Sequence, residues 1–301
     1  MNEKDNIIFE SKPSLKNPYI VCGLNGSFNG GNVSVDGINY FIKHFNAVKF
    51  AEMPALRYHI YQIPGIESMR PVFKMEEGII TETSLPKNEF YYVKNSGSEH
   101  DLILFQGMEP NLNWEEYADA VVSLACDFKA SRLYAMCGIL DGTPYTREPI
   151  ISCTCTDARV KEEMEKYNVT FSNREGPASY NQMLIYSCKK KGLDGVNFTV
   201  RVPCYPDHNV FLGYSPKSIK AILVRLKDLM HIDINMDELN NAIKELDGKL
   251  NFIRQQNPQF NTFIEEIEKN YTEMPYEDTL DISPSDAVKL AEEFLKNNKD
   301  E

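Results

Sequence analysis

The chain has 301 residues, of which 42% are hydrophobic and 25% are charged, as in an ordinary globular protein with a substantial core. Its 32 basic and 44 acidic residues give a formal net charge of −12. This charge argues against a nucleic-acid-binding protein and against attachment to anionic lipid through a basic surface. No apolar run approaches the roughly 20 residues of a membrane-spanning helix, and the mixed-charge N-terminus lacks the pattern of a signal peptide. We therefore expect a soluble cytoplasmic protein.

Alternating strand and helix patterns run through most of the chain. Short apolar runs that end at glycine or at a polar loop predict buried strands, and a 3.6-residue apolar period predicts helices. Up to residue 128, the sequence predicts strands at 19–24, 48–52, 58–61, 90–93 and 101–105, a hairpin at 71–81, and helices at 33–45 and 114–128. From there to residue 230, it predicts strands at 133–138, 150–156 and 196–202, and helices at 157–167, 178–191 and 216–230.

This alternation indicates an α/β fold, a three-layer α/β/α sandwich with helices on both faces of a mixed sheet. After residue 235, apolar residues recur at helical spacing with little strand propensity, which predicts an all-helical extension. We therefore divide the chain into a polar N-terminal arm (1–17), an α/β/α domain (18–234) and a helical C-terminal extension (235–301).

A glycine- and asparagine-rich loop lies between the first strand and the first helix. A helix that starts after such a loop offers free backbone N–H groups and a partial positive charge to an anion. The loop matches neither nucleotide fingerprint, because Gly-x-Gly-x-x-Gly is absent and an asparagine stands where a phosphate loop has its lysine. The candidate ligand-binding residues are Asn25, Gly26, Asn29, Gly30, Gly31 and Asn32. The alternative is a tight turn that lets the helix pack closely on the sheet.

Four further residues are candidates for functional or structural roles. Glu175 precedes a helix and is either a general base or hydroxyl-binding carboxylate of the same pocket, or a solvated cap. Tyr205 lies at a strand end, where it can line a pocket. Arg147 lies in a segment that we expect two prolines to hold extended, and it either clamps a carboxylate or makes an ion pair between subunits. We favour the structural role for Arg147 and assign its neighbour Tyr145 an interface or structural role.

The sequence contains no complete catalytic or metal-binding constellation. The five histidines include no pair at ligand spacing, and the seven cysteines include no Cys-x-x-Cys pair. A Gly-x-Ser-x-Gly nucleophile elbow is also absent. We therefore predict no metal and no cofactor, and we favour a protein that is not an enzyme.

The order of several motifs resembles that of a known family. A strand with its Gly/Asn loop is followed by Phe105-Gln106-Gly107-Met108-Glu109-Pro110, then Pro144-Tyr145-Thr146-Arg147-Glu148-Pro149 and Thr154-Cys155-Thr156-Asp157, and last Val202-Pro203-Cys204-Tyr205 with Tyr214-Ser215-Pro216-Lys217-Ser218. Over about residues 18 to 245, this order resembles the prokaryotic branch of the proteasome assembly chaperone family, second type.

The resemblance implies an α/β/α domain similar to nucleoside phosphorylases and a helical extension in longer members. It also implies self-assembly, with trimers in several bacterial-type members, and contacts with other proteins, since eukaryotic and some archaeal relatives chaperone proteasome assembly. The sequence departs from the family motifs at Leu24, where a tryptophan is expected, and at Tyr145 and Cys204, where histidines are expected. Chemistry that uses those histidines is therefore not expected here.

Two functions of different class follow from these observations. The favoured one is a non-enzymatic, assembly-chaperone-like homo-oligomer that binds other proteins, with a trimer as the first expectation. The other is a small-molecule binding protein or enzyme of nucleoside-phosphorylase-like fold that takes a phosphate, nucleoside or carboxylate. The second function requires loop 25–32, Glu175 and Tyr205 to converge in one cleft.

Overall fold

The computed structural model describes residues 6–61, 70–95, 98–173 and 175–272. The strands in these ranges are β1 (Ile8–Phe9), β2 (Tyr19–Asn25), β3 (Val48–Glu52), β4 (Val72–Glu76), β5 (Ile79–Ser84), β6 (Glu89–Val93), β7 (Leu102–Met108), β8 (Arg132–Asp141), β9 (Ile151–Cys155), β10 (Gly195–Tyr205) and β11 (Val210–Phe211). The α-helices are α1 (Val33–His44), α2 (Trp114–Asp127), α3 (Ala158–Met164), α4 (Tyr180–Lys191), α5 (Pro216–Met230), α6 (Asp237–Gln256) and α7 (Pro258–Lys269).

One mixed sheet organises the described residues. Its strand order is β1-β3-β6-β7-β2-β8-β10-β11, and β9 also pairs with β10. The four central strands β7, β2, β8 and β10 are parallel, whereas the flanking pairs are antiparallel. Strands β4 and β5 form a separate hairpin, which the sequence predicts at 71–81. The predicted α/β fold with a mixed sheet is confirmed.

Both faces of the sheet are buried, and successive residues of each strand contribute to opposite faces. Val21 and Leu104 pack in one core with α1 and α5, whereas Ile20 and Ile103 pack in the other core with α2 and α4. A strand that is buried on both faces needs apolar residues at every position, which explains the continuous apolar runs in the sequence. The result is the predicted three-layer arrangement.

The predicted helices after residue 235 are present as α6 and α7. Leu250 on α6 and Phe260 and Ile264 on α7 form a third buried cluster, together with Tyr145 and Tyr205 from the sheet side of the molecule. The part of the predicted extension from residue 273 onward lies outside the described residues, as do residues 1–5 of the predicted arm. The division of the chain at residue 235 stays a prediction.

Two segments differ from the sequence-based expectations. The strand predicted at 58–61 is wrong, because Tyr58 closes a turn on Ala55 and its carbonyl accepts the backbone N–H groups of Asn111 and Leu112. The N-terminal arm contributes strand β1, which pairs antiparallel with β3, and its Phe9 ring packs 6.3 Å from the Phe50 ring. The apolar residues of the arm are therefore part of the sheet and its core.

Candidate functional site

The four parallel strands end at one edge of the sheet, which we call the carboxyl edge. Strands β2, β7, β8 and β10 end there at Asn25, Met108, Asp141 and Tyr205. In open α/β sheets, ligands bind at this edge, in the crevice between the loops that follow the strands. Loop 25–32 and Tyr205 both lie at this edge, as the sequence predicts.

Asn29 caps helix α1. Its side-chain oxygen accepts the backbone N–H groups of Ser34 at 2.9 Å and Val35 at 3.2 Å. Its side-chain nitrogen donates to the side-chain oxygens of Asn25 at 3.2 Å and Asn32 at 2.9 Å. The N–H groups that an anion would use at this helix start are therefore already bonded within the chain.

Glu109, which the sequence analysis did not select, places a carboxylate in the same loop. Its Oε2 accepts the backbone N–H of Ser27 at 2.6 Å. A Cβ atom on Gly26 would lie 2.3 Å from that oxygen, so the glycine makes room for the carboxylate. The sequence signal for Glu109 is its position directly after β7, at the same edge as the loop. A carboxylate here disfavours an anionic ligand.

Gly30 and Gly31 let the loop lie directly on the sheet. A Cβ atom on Gly30 would lie 3.0 Å from the Gly138 carbonyl oxygen of β8. Gly31 has a φ of +57°, and a Cβ atom there would lie 2.7 Å from both Ser215 and Val202. The Gly31 carbonyl accepts the Ser215 N–H at 2.9 Å, next to the start of α5. This close packing is what the alternative interpretation, a tight strand-to-helix turn, requires.

The cavity beside this loop is small. Its volume is about 10 Å³, and its lining residues are Leu24, Gly26, Phe28, Ser34, Glu109, Tyr180 and Asn181. Such a volume holds about one water molecule. Burial raises the pKa of Tyr180 well above its usual range, so its hydroxyl stays neutral. The cavity as it stands has no room for a nucleoside or a nucleotide.

Tyr205 lies under the C-terminal helices. Its hydroxyl donates to the Thr143 carbonyl at 2.6 Å and accepts the Tyr145 N–H at 2.8 Å. Its ring centroid lies 5.7 Å from that of Phe260 and 5.6 Å from that of Phe263. Burial raises its pKa far above the usual range, so it remains a neutral hydrogen-bonding anchor.

The segment that carries Tyr145 and Arg147 forms a turn. The extended conformation predicted between the two prolines is wrong, because the Arg147 N–H closes a turn on the Pro144 carbonyl at 3.2 Å. Proline with its fixed φ is common in such turns, which the local sequence does not distinguish from extended chain. The Tyr145 hydroxyl donates to Asn251 on α6 at 2.7 Å, whereas the Arg147 side chain is exposed.

A lysine bridges this turn and helix α6 through hydrogen bonds to both. The Lys217 ammonium, at the start of α5, donates to the Tyr145 carbonyl at 2.5 Å and to Asp247 at 3.0 Å. The cavity at this contact has a volume of about 10 Å³. Helices α6 and α7 therefore cover the ends of β8 and β10, where a ligand of an α/β sheet would bind.

The predicted residues fall into separate environments. Loop 25–32 packs on β8 and α1, and Tyr205 packs under α7. Glu175 is exposed, and within the described ranges no hydrogen bond or ion pair links it to Asn29 or Tyr205. The small cavity beside the loop is lined by Gly26 but by neither Glu175 nor Tyr205, so the single cleft that the small-molecule hypothesis requires stays a prediction.

A larger open groove of about 940 Å³ runs along α2. Four carboxylates line it, Glu115, Glu116, Asp119 and Asp127, against the single ammonium of Lys191. This charge does not suit the phosphate or carboxylate ligands that the small-molecule hypothesis names. In the residues that the structure describes, no group of three or more His, Cys, Asp or Glu side chains is placed to hold a metal ion.

The hairpin β4–β5 exposes an unusual amount of apolar surface. All residues of both strands are exposed. Its large apolar side chains are Val72, Phe73, Met75, Ile79 and Ile80. Contiguous exposed apolar patches on soluble proteins mark contacts with proteins or membranes. Within the described ranges, no helix is both long and apolar enough to cross a membrane.

The described residues form an α/β/α protein with a filled carboxyl edge and an exposed apolar hairpin. The model of the PAC2 family matches residues 23–253. The chain therefore belongs to the PAC2 family, which is the proteasome assembly chaperone family that the motif order predicts. No curated protein matches the chain.

Solved structures of the same fold support this assignment. The proteasome-assembly chaperone homologue Rv2125 of Mycobacterium tuberculosis aligns with a TM-score of 0.71 and 20% identity, over 82% of this chain and 99% of that one. A PAC2 family protein of Streptomyces avermitilis aligns with a TM-score of 0.68 and 22% identity, over 78% and 94%. The archaeal proteasome activator PbaB of Pyrococcus furiosus aligns with a TM-score of 0.62 and 23% identity, over 82% and 97%.

Proposed function

We propose that this protein is a non-enzymatic homo-oligomer that binds other proteins in the manner of an assembly chaperone. The proposed oligomer is a trimer, and its proposed location is the cytoplasm. In this proposal, loop 25–32, Tyr145 and Tyr205 are structural elements that keep the carboxyl edge of the sheet closed, and Arg147 is an exposed contact residue.

The observation that carries the proposal is the occupied carboxyl edge. Loop 25–32 and Glu109 fill it above β2 and β7, and α6 and α7 cover it above β8 and β10. The cavities that remain beside Tyr180 and Lys217 have volumes of about 10 Å³ each. Ligand pockets usually have about 300–1,000 Å³, so these cavities are too small for a substrate.

Family membership also supports binding to other proteins. Two structural neighbours are described as a proteasome-assembly chaperone homologue and as an archaeal proteasome activator. The second description names a protein that acts on another protein assembly, and the first names a homologue of such proteins. We extend that kind of action, contact with partner proteins, to this chain.

The first test is the mass of the purified full-length chain, measured by light scattering after size exclusion and by native mass spectrometry. The trimer predicts three times the chain mass of 34.5 kDa, and a mass that stays constant as the protein is diluted across its storage range. A second test is affinity purification of the tagged protein from its source cell, followed by reconstitution of each candidate complex from purified components. A monomer at all concentrations, or no complex that survives reconstitution, contradicts the proposal.

A further inference from the structure

The groove of about 940 Å³ along α2, which we call the α2 groove, is lined by apolar and acidic side chains together. The apolar ones come from the N-terminal arm and from α2, and they are Ile7, Phe9, Trp114, Ala120 and Leu124. Unlike the cavities of about 10 Å³ at the carboxyl edge, this groove is large enough to take several side chains.

The carboxylates of the α2 groove follow a regular spacing. Glu115, Asp119 and Asp127 lie on α2 at positions i, i+4 and i+12 of one row, and Ser123 occupies the remaining position. Residues four apart on a helix have Cβ atoms about 5–6 Å apart and form a ridge along its surface. The groove therefore presents its negative charge in steps along α2 and not at a single point.

The chain does not neutralise this row of carboxylates. Glu116, the fourth carboxylate of the groove, pairs with Arg57. Within the ranges that the structure describes, no ion pair reaches the three carboxylates of the row, and Lys191 is the single cation among the residues that line the groove. The α2 groove thus carries an excess of negative charge that favours a cationic partner.

An unused hydrogen-bond acceptor accompanies this charge. Asn6 lines the groove, and its side-chain oxygen is buried and accepts no hydrogen bond from the part of the chain that the structure describes. A buried acceptor without a donor is costly, because it has lost its bonds to water. Lysine ammonium and arginine guanidinium groups are donors without an acceptor atom, so they suit this oxygen as well as the carboxylates.

We propose that the α2 groove binds a cationic, amphipathic segment of a partner protein, with lysine or arginine side chains about 6 Å apart. The proposal rests on the binding of other proteins proposed above and names the surface and the chemistry of that contact. The basic side chains lie along the row of carboxylates, and apolar side chains between them pack on Phe9, Trp114 and Leu124. A second copy of this chain, with its net charge of −12, is a less favourable occupant.

We expect this contact to be transient. A groove of this size takes a segment of several residues, which buries less surface than the roughly 800 Å² per partner of a standard stable interface. Ion pairs at an exposed surface contribute modestly and are screened by salt. The dissociation constant should therefore be micromolar and rise at least about tenfold between about 50 and about 500 mM sodium chloride. Such a contact suits a chaperone, which must release the protein that it binds.

The first test uses the full-length protein and two synthetic peptides of equal composition. In the spaced peptide, an alanine-rich helix carries lysine at every fourth position with a leucine beside each lysine. In the block peptide, the same lysines stand in one run. We expect isothermal titration calorimetry to show that the spaced peptide binds at least about tenfold more tightly. Equal affinities would show that net charge alone attracts the peptides, and would overturn the proposal.

Two charge-matched variants locate the contact. Glu115→Gln with Asp127→Asn neutralises two exposed carboxylates of the groove, whereas Glu162→Gln with Glu266→Gln neutralises two exposed carboxylates that do not line it. We expect the groove variant to bind the spaced peptide about tenfold more weakly and the control to stay within about twofold of wild type. Far-UV circular dichroism and thermal melting verify that both variants are folded. Equal weakening in both variants overturns the assignment to this groove.

A gain of affinity provides the positive arm of the test. Lys191 is exposed, and Lys191→Gln removes the ammonium that competes with the ligand for the carboxylates of the groove. We expect this variant to bind the spaced peptide about threefold more tightly than wild type, a result that a damaged fold would not produce. An unchanged or lower affinity would place the peptide outside the groove and contradict the proposal.

The outcomes separate this inference from the proposed function. A wild-type protein that forms no complex with a partner protein on reconstitution contradicts the proposed function, whereas the two peptides test the groove itself. A reconstituted complex that the groove variant forms as tightly as wild type overturns this inference alone. Loss of the oligomer in the groove variant would make the groove a contact between copies of the chain and would also overturn this inference.

Discussion

The side-chain oxygen of Asn29 accepts the backbone N–H of Ser34 at 2.9 Å, and this bond caps helix α1. The residue at the N-cap position itself, Asn32, has a left-handed conformation and makes no side-chain cap. The cap therefore comes from three residues earlier in the loop. This arrangement turns a loop that resembles an anion site in sequence into a closed structural turn.

Removing the cap should destabilise the protein by a measurable amount. We expect Asn29→Ala to lower the free energy of unfolding by about 1 kcal/mol, the usual cost of losing a helix cap. Urea denaturation followed by circular dichroism measures this change. Asn29→Asp is the comparison, because both variants lose the bonds that the Asn29 nitrogen donates to Asn25 and Asn32, whereas only the carboxylate still accepts the two N–H groups at the positive end of the helix, so we expect it to lose less stability. An equal loss in both variants would show that the residue does not act as a cap.

Phosphate should not stabilise the wild-type protein. The N–H groups at the start of α1 are bonded to Asn29, and Glu109 adds negative charge to the loop. A ligand that binds only the folded state at 100 times its dissociation constant stabilises by about 2.7 kcal/mol, which a thermal shift detects readily. We expect no shift with millimolar phosphate or nucleosides beyond that of a sodium chloride control at equal ionic strength. A specific shift that Asn29→Ala abolishes would restore the small-molecule hypothesis.

The sequence predicts the regular elements well where a local pattern determines them. Helix α2 is predicted at 114–128 and occupies Trp114–Asp127, because its apolar residues recur on one face toward the core. Unbroken apolar runs predict the strands β2 and β8, since both faces of the sheet are buried. The segment 58–61 has the aromatic and branched residues of a strand, yet it forms none. The Tyr58 ring packs instead with its centroid 4.9 Å from that of Tyr117 on α2, a residue far away in the sequence.

The site depends on contacts between residues far apart in the chain. Gly26 packs against the Glu109 side chain after β7, and the Tyr145 hydroxyl donates a hydrogen bond to Asn251 on α6. No local pattern indicates such pairs, although the strand order places the loops at one edge once the parallel sheet is known. The sequence can therefore predict where a site would lie but not that side chains fill it.

The buried hydroxyl of Tyr205 should contribute to the docking of the C-terminal helices. Tyr205→Phe keeps the packing on Phe260 and Phe263 but leaves the Thr143 carbonyl and the Tyr145 N–H without this partner. We expect a loss of about 1–3 kcal/mol in the free energy of unfolding, measured by urea denaturation. Tyr145→Phe removes the hydroxyl's hydrogen bonds to Asn251 and Arg254, and because Asn251 is exposed and can bond to water instead, it should cost about 1 kcal/mol. A larger loss for Tyr145→Phe than for Tyr205→Phe would contradict the anchoring role of Tyr205.

Protonation of His59 should weaken the fold in mild acid. The imidazole is buried, and this burial lowers its pKa below the usual 6.5, which its contact with Asn88 only partly offsets. Between the lowered pKa and about 6.5, the unfolded chain binds a proton that the native protein does not bind. The stabilising contribution is therefore complete above about pH 6.5 and is lost as the pH falls through the native-state pKa.

The measurement is the free energy of unfolding by urea at a series of pH values from about 7.5 to 5. We expect wild type to lose stability more steeply than His59→Gln, with a difference in slope of at most about 1.4 kcal/mol per pH unit, the limit for one proton. His44→Gln, at an exposed position, is the control and should follow the wild-type slope. Parallel curves for wild type and His59→Gln would show that this histidine is not the group that couples folding to pH.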